Sequence, residues 1–488
     1  MADVVGFGAI IALVSVCGLV AVAWNRVSER IRVPAPAVFL VVAAAASDVW
    51  PSLGHLPVVT VQRVVTVMLV LLLFDGGMHI GRRRFLQAGG TVLWIGVVGT
   101  LVTTAGVGAA AHLVFGFDWR SSWLLGVALA PTDPAVVFSV LGRREIAGRS
   151  GTVLEGESGA NDPVGIAAMA ALLSAGAAGT GWAPVARGAA EFALQLGVGG
   201  AIGIAGGYLL GWVMRRLPLP SGALYPVRTL LAAGALYGLA TVAHGSGFLA
   251  VFVAGIVVGD LRAPYKAEIE RFHSSLASLA EIVAFAMLGL TVSVTSLAHG
   301  DAWLVGLGLA VLLALVIRPV LVGLMLLPVR LEPGERLFVL WCGLKGAVPI
   351  LLGTYLLSAG VPGAVRLYQV VVVVVAFSVI VQGGLVPVVA KVGRVPMRVV
   401  EPEPWSLGVR FRDEPTGLRK HIVAPGSPAA GAAIADLDLG EDVWISLVNR
   451  AGTLVPVRGD TVLASGDEVL LLVDPDNPQD ADRFFIGP

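Results

Sequence analysis

Residues 155–165, EGESGANDPVG, place Glu155, Glu157 and Asp162 close together inside an otherwise apolar stretch. A carboxylate in hydrocarbon is costly unless something compensates it, so such a cluster points to a function. Upstream, LGVALAPTDPAVVFSVLG sets Thr132 and Asp133 between Pro131 and Pro134. Prolines supply no backbone donor, so a helix should break here and leave carbonyl and N–H groups open. Inside a membrane such a break is tolerated only where it is buried in protein or lines a wet cavity. Ser158 lies four residues before Asp162, on the same helical face, with Glu157 and Asn161 nearby. Asp162, Asp133, Thr132, Ser158 and Asn161 together are hard oxygen ligands. They suit a dehydrated monovalent cation and lack the His or Cys expected of zinc. A buried carboxylate can equally hold a proton, because desolvation favours the neutral form. One group that binds either a cation or a proton is the minimum machinery for exchange.

Each residue also has a plainer role. Asp162 and Asp133 can pin helices, and Thr132 and Ser158 can bond their own backbones. Asp75, in LLLFDGGMHI, either guides ions or simply faces solvent near the end of its span. Glu155, near the mouth, and Glu281, alone in SLAEIVAFAMLGL, read as structural carboxylates. Buried anions need buried cations, and Arg318 in LVIRPVLVG and Lys345 in CGLKGAVPI are available. Glu157 is expected to pair with Arg318, because unpaired buried charges are prohibitive.

These residues must be positioned by membrane helices. Of 488 residues, 56% are hydrophobic and only 14% charged, with a mean hydropathy of +0.86. A spanning helix needs about 20 apolar residues. Hydropathy and turn signals give about thirteen spans: 4–24, 35–50, 58–80, 89–115, 122–141, 152–176, 187–214, 226–243, 246–260, 272–296, 301–328, 336–358 and 367–391. The start, MADVVGFGAI, has no basic n-region or A-x-A-like site, so it reads as the first span rather than a removed signal. Cys17 and Cys342 both fall in apolar runs and imply neither a disulfide nor a metal framework. Basic residues such as Arg82–Arg84, Arg215/Arg216 and Lys391/Arg394 fall on alternate connections, which puts the N-terminus outside and the C-terminus in the cytoplasm. GLKGAVPILLG is interrupted by Gly and Pro about 215 residues after APTDPAVVF. Two interrupted segments in corresponding places are the pointer to inverted repeats with crossing broken helices.

The tail differs. Residues 401–488 carry 15 acidic and 7 basic residues, against 18 and 26 in the first 400. FRDE, LRKHIVA, DVWISLVNR, TLVPVRG and DEVLLLVD are short strand-like runs, and PAAGAAIADLDL reads as one helix. The expected organisation is a transmembrane domain over 1–395, a linker over 396–404 and a small cytosolic α+β module over 405–488.

EGESGANDPVGI resembles the Asn-Asp signature of the monovalent cation:proton antiporter family, NhaP branch. APTDP, FDGG, the arginine of IRP, GLKGAVPI and FSVIVQGG match further family landmarks in the same order, over nearly all of residues 1–395. The ESGANDP form looks most like potassium/proton antiporters. The tail, HIVAPGSPAAGAAIADLDL with VPVRGDTVLASGDEVLLL, resembles TrkA-C (RCK-C) regulatory modules. The resemblance implies a homodimer in the inner cell membrane, with a dimerisation half and a mobile six-helix core. Asp162 would be the essential cation/proton carboxylate, aided by Asp133, Thr132 and Ser158. Asn161 would tie the broken helix, Glu157–Arg318 would be a structural pair, and Asp75 would sit on the ion path. Lys345 stands where many relatives carry Arg, which suggests a role in pH response. Asn161, where the electrogenic branch has a second Asp, implies electroneutral one-for-one exchange.

A sodium or lithium/proton antiporter would use the same site and stands as the alternative. Other classes fare worse. A channel would need a filter, and no TVGYG-like run occurs. No HExxH, GxSxG or Walker loop suggests an enzyme. No cofactor is expected beyond the transported potassium or sodium and protons, and no nucleic acid. The tail either clamps a dimer or senses a small ligand or nucleotide, although it lacks the GxGxxG fingerprint for NAD.

Overall fold

The computed structural model describes residues 18–19, 34–49, 56–141, 144–146, 149–177, 182–261, 263–399, 417–437, 439–440, 443–473 and 481–485. Most of the expected span 4–24, the run FRDE and residues 400–404 of the expected linker 396–404 lie outside these residues. The chain divides into two compact units, Met1–Pro402 and Glu403–Pro488.

In the first unit the apolar runs form helices. Among the described residues six are long and apolar enough to cross a membrane: Val58–Leu86, Gly89–Leu113, Ala183–Arg216, Lys266–Gly289, Ala302–Met325 and Ala364–Gln382. Ala35–Val49, Gly247–Gly259 and Ala347–Ser358 are shorter apolar helices. Arg149–Ala177 has the length, at 29 residues, but Arg149, Glu155, Glu157 and Asp162 make its first half polar. The result is a polytopic helical bundle around one large apolar core.

Small residues set how closely its helices approach. Gly255 and Gly259 meet Gly77 and Gly81 where Gly247–Gly259 crosses Val58–Leu93, and a methyl at any of the four would overlap the opposite segment. Gly81 also takes a φ of +65°, which bends its helix, and Asp260 accepts the backbone N–H of Arg83 at the bend.

Two helices are interrupted. Trp119–Leu129 gives way to an open stretch before Ala135–Leu141, and Pro333–Trp341 gives way to residues 342–346 before Ala347–Ser358. The two breaks touch: the backbone N–H of Asp133 donates to the Leu344 carbonyl at 2.8 Å. Two π-helical stretches, Leu313–Val322 and Ser378–Gln382, lie in the helices that pack around the second break. A two-stranded antiparallel strip, β1 (Arg144–Ile146) with β2 (Met397–Val399), closes the unit, so the expected linker begins as a strand of this unit.

The second unit is an antiparallel sheet of order β3-β6-β4-β5, with β3 Leu418–Ile422, β4 Val443–Arg450, β5 Thr453–Val455 and β6 Glu468–Val473. Val423, Val448, Leu463, Val469, Leu471 and Phe485 form its core. The helix expected over PAAGAAIADLDL does not form. Gly431 takes a φ of +88°, and only Ile434–Asp436 winds, as a 3-10 turn. The cause is tertiary: the N–H groups of Gly431, Ile434 and Ala435 donate to the carbonyls of Leu463, Thr461 and Gly459 at 2.8–3.0 Å instead of to their own turn. Among the described residues the module is therefore strands and 3-10 turns rather than α+β.

Candidate functional site

The first break follows from its prolines. Deprived of helical donors, the carbonyls of Ala130 and Pro131 accept hydrogen bonds from the Lys345 ammonium at 3.0 and 3.1 Å. Lys345 is buried, and it fills acceptors that the sequence alone left open for an ion. Asp133 Oδ1 accepts the Ala135 N–H at 2.9 Å and so starts the helix that continues beyond the break. Its other oxygen lies against Gly346, where a methyl would overlap the carboxylate.

The second carboxylate comes from the uninterrupted helix Arg149–Ala177. Pro163 has no N–H, so the Gly159 carbonyl one turn earlier loses its helical partner. Asn161 Nδ2 donates to Thr132 Oγ1 at 2.7 Å, which ties this helix to the first break. Asn161 Oδ1 is buried and, among the described residues, accepts no hydrogen bond. Asp162 is 8% exposed, and among the described residues its carboxylate accepts no hydrogen bond. An acidic group held this way is left with affinity for a proton or a cation.

Asp162 and Asp133 lie at the inner end of a cavity of about 300 Å³. Ser158, Gly159 and Glu155 line it from the same helix as Asp162, and Asp75 and His79 line it from Val58–Leu93. Ser274 donates to Asp75 Oδ1 at 3.2 Å, and His79 Nδ1 lies 3.4 Å from Asp75 Oδ2. The His79 side chain is 53% exposed and that of Asp75 14%, so the cavity opens at their end, next to Arg82–Arg84. Glu281 and Phe285 complete the lining from Lys266–Gly289.

Of the residues singled out from the sequence, Asp162, Asp133, Ser158 and Asp75 thus share one cavity. Thr132 and Asn161 bond to each other beside it. Glu155, read as structural near the mouth, also lines the cavity. One expectation changes: Glu281, read as a satisfied structural carboxylate, lines it as well, and its Oε1 is inaccessible and, among the described residues, without a partner. Among the described residues no group of three or more His, Cys, Asp or Glu has the arrangement of a metal centre. The donor set is carboxylates and a hydroxyl, which suits a hard monovalent ion.

Glu157 stays out of the cavity. It accepts from both terminal Arg318 guanidinium nitrogens, Nη1–Oε1 at 2.7 Å and Nη2–Oε2 at 3.0 Å, with both side chains buried. Arg318 also donates to the carbonyls of Leu340 and Val339 at 2.9 and 3.2 Å, the open end of the helix before the second break. A methyl at Gly343 would overlap the guanidinium.

The sequence reading missed Ser378 and Gln382. Ser378 Oγ accepts the Lys345 N–H at 2.9 Å and donates to Gln382 Oε1 at 3.0 Å. Gln382 Nε2 donates to the Trp341 carbonyl at 2.7 Å, and Trp341 Nε1 returns a bond to the Gln382 carbonyl at 3.0 Å. The π-turn thereby supplies the polar partners that residues 341–345 lack. A buried Ser and Gln one turn apart in FSVIVQGG was the available signal.

Comparison with known proteins gives consistent matches. Residues 11–392 match the family described as sodium/hydrogen exchanger, transmembrane, and residues 418–486 match the TrkA-C domain. The K(+)/H(+) antiporter NhaP of Alkalimonas amylolytica is 35% identical over 388 residues, which is 78% of this chain and 66% of that protein, just under two thirds of its length. The K(+)/H(+) antiporter NhaP2 of Shewanella sp. (strain ANA-3) is 30% identical over 472 residues, covering 95% of this chain and 80% of that one. The Na(+)/H(+) antiporter NhaH of Halobacillus dabanensis is 30% identical over 346 residues, covering 68% and 83%. Among solved structures, the sodium proton antiporter MjNhaP1 from Methanocaldococcus jannaschii at pH 8 shares the fold, with a TM-score of 0.62 at 20% identity over 76% of this chain and 98% of that one.

Proposed function

The chain belongs to the transmembrane sodium/hydrogen exchanger family, and from that premise we propose that it is a secondary active antiporter exchanging a monovalent cation, potassium in the first instance, for a proton. The observation that carries this reading is Asp162: a carboxylate at the inner end of a cavity, beside two broken helices, with no hydrogen bond among the described residues. Facing one side, Asp162 releases its proton and takes a cation. The loaded core then moves, and the exchange reverses on the other side. An empty charged site and a doubly loaded one both cross poorly, which couples the two fluxes. Asp133 and Ser158 add oxygen ligands, Asn161–Thr132 holds the helix to the break, and Glu157–Arg318 fixes the scaffold.

The distribution of basic residues supports an N-terminus outside, so the end of the cavity beside Arg82–Arg84 would face the cytoplasm. The two interrupted helices support an inverted-repeat architecture of about thirteen spans, and the family supports a homodimer. Lys345, filling the Ala130 and Pro131 carbonyls, supports a modulating role for its charge. Asn161 in place of a second Asp supports electroneutral one-for-one exchange. Residues 418–486 form a TrkA-C domain, and we propose that it regulates transport, with or without a small ligand or nucleotide. Deletion of residues 403–488 should then alter regulation and spare basal exchange, whereas complete loss of transport would count against it.

The test is transport by purified protein in proteoliposomes carrying a pH-sensitive dye. A proton gradient is imposed, and potassium, sodium or lithium is added with and without a valinomycin clamp. Potassium-dependent dequenching insensitive to the clamp is the expected result, and Asp162→Asn should abolish it. The Halobacillus relative named for sodium favours a second reading, sodium/proton exchange at the same site; a response to sodium and lithium alone would establish it.

A further inference from the structure

Glu281 is the cavity residue that the exchange cycle above leaves without a role. It lies in Lys266–Gly289, where Ser274, Glu281 and Phe285 are seven and four residues apart and share one helical face. That face meets Val58–Leu93. Ser274 bonds Asp75, and further along the same helix Glu281 lines the cavity. Its Oε1 is inaccessible to solvent, and among the described residues the side chain accepts no hydrogen bond. The titratable groups around the same cavity are Asp75 and His79 from Val58–Leu93, Asp133 from the first break, and Glu155 and Asp162 from Arg149–Ala177. Among the described residues no Lys or Arg lines the cavity.

A purely structural carboxylate would be expected to find a donor, because a buried polar group without one is costly. Among the described residues Glu281 has none, and it faces the volume an ion must cross. An entering cation would supply the missing counter-charge. Asp75 is half-buried beside the exposed His79, whereas Asp162 is buried. We propose that Glu281 is a second cation-binding carboxylate, which takes the partly hydrated monovalent ion between Asp75 and Asp162. The proposal rests on the antiport reading and adds to it a site that sets apparent affinity rather than coupling. Asp162 remains the group that exchanges ion for proton.

The experiment is potassium-driven exchange in proteoliposomes as a function of potassium concentration, for wild type, Glu281→Gln and Glu281→Asp. Glu281→Gln should raise the apparent KM about tenfold, the factor carried by ~1.4 kcal/mol of lost attraction, with the maximal rate largely kept. Glu281→Asp, which keeps the charge on a shorter stem, should raise it less, and it serves alone if the Gln variant does not assemble. A merely structural role would lower yield or maximal rate and leave KM unmoved, and that result would overturn the proposal. Wild-type protein without exchange for any monovalent cation would overturn the antiport reading and this proposal with it. Normal wild-type exchange beside unchanged KM in the variants would overturn this proposal alone.

Discussion

Replacing Arg318 by Met strands Glu157, and the structure says how severely. Arg318 makes four hydrogen bonds: two to the Glu157 carboxylate and one each to the carbonyls of Leu340 and Val339. Both charged groups are buried, at 3% and 4% side-chain exposure, so neither can turn to water when its partner is lost. Removing one partner of a buried pair costs ~3–5 kcal/mol, and each stranded carbonyl adds roughly 1–3 kcal/mol. Arg318→Met should therefore be the worst of a set. Glu157→Leu should be milder, because the guanidinium keeps both carbonyl partners. The double variant Glu157→Leu/Arg318→Met should recover stability relative to Arg318→Met, since replacing a buried pair with apolar side chains is often close to neutral. The residual loss should be about 2–6 kcal/mol, from the two carbonyls left without a donor. Unfolding of the detergent-solubilised variants, compared as a double-mutant cycle, reads this directly. A double variant no more stable than Arg318→Met would refute the reasoning, because the penalty would then not come from the uncompensated charge.

Other consequences follow from the same contacts. Gly346→Ala should press on the Asp133 carboxylate and cut the exchange rate by about 100-fold, the scale of an ångström-level misplacement in a reacting site; unchanged transport would mean that Asp133 does not need this position. Ser378→Ala should leave the Lys345 N–H without its acceptor and destabilise the protein by roughly 1–3 kcal/mol, measured by thermal unfolding in detergent. In the TrkA-C domain, Arg450 holds Asp467 with bonds of 2.9 and 2.7 Å and keeps its carboxyl below the usual carboxylate range. A depressed folded value means that this stability is present above the unfolded value of about 3.9 and is lost as pH falls through the lower folded one. Hydrogen exchange of Glu468–Val473, corrected for intrinsic rates, should speed up on acidification, and Arg450→Gln should remove that dependence.

Much of the fold was legible because a membrane leaves few alternatives. Long apolar runs become helices, and the prolines flanking Thr132-Asp133 and the Gly/Pro pattern around Lys345 mark where two of them open. The contact between Glu157 and Arg318 could be reached from charge balance alone, since a buried anion in so apolar a chain needs one of very few buried cations. Glu281 was misjudged for a reason of the same kind. A single carboxylate in an apolar helix looks alike whether it is satisfied or faces a cavity, and only its place in the cavity lining, with Oε1 buried and without a partner among the described residues, distinguishes the two. Ser378 and Gln382 escaped because their partners are backbone groups of a break 33–41 residues away. In the TrkA-C domain the alanine-rich segment favoured helix locally, yet backbone partners in the loop over residues 459–463 decided otherwise.

The most direct test of Asp162 as the shared cation and proton site is the pH dependence of potassium-driven exchange. Apparent KM for potassium should rise as pH falls while the maximal rate at saturating potassium stays constant, the pattern of two ligands competing for one group, and Asp162→Asn should show no exchange at any pH. A KM independent of pH, or exchange retained in Asp162→Asn, would contradict the account.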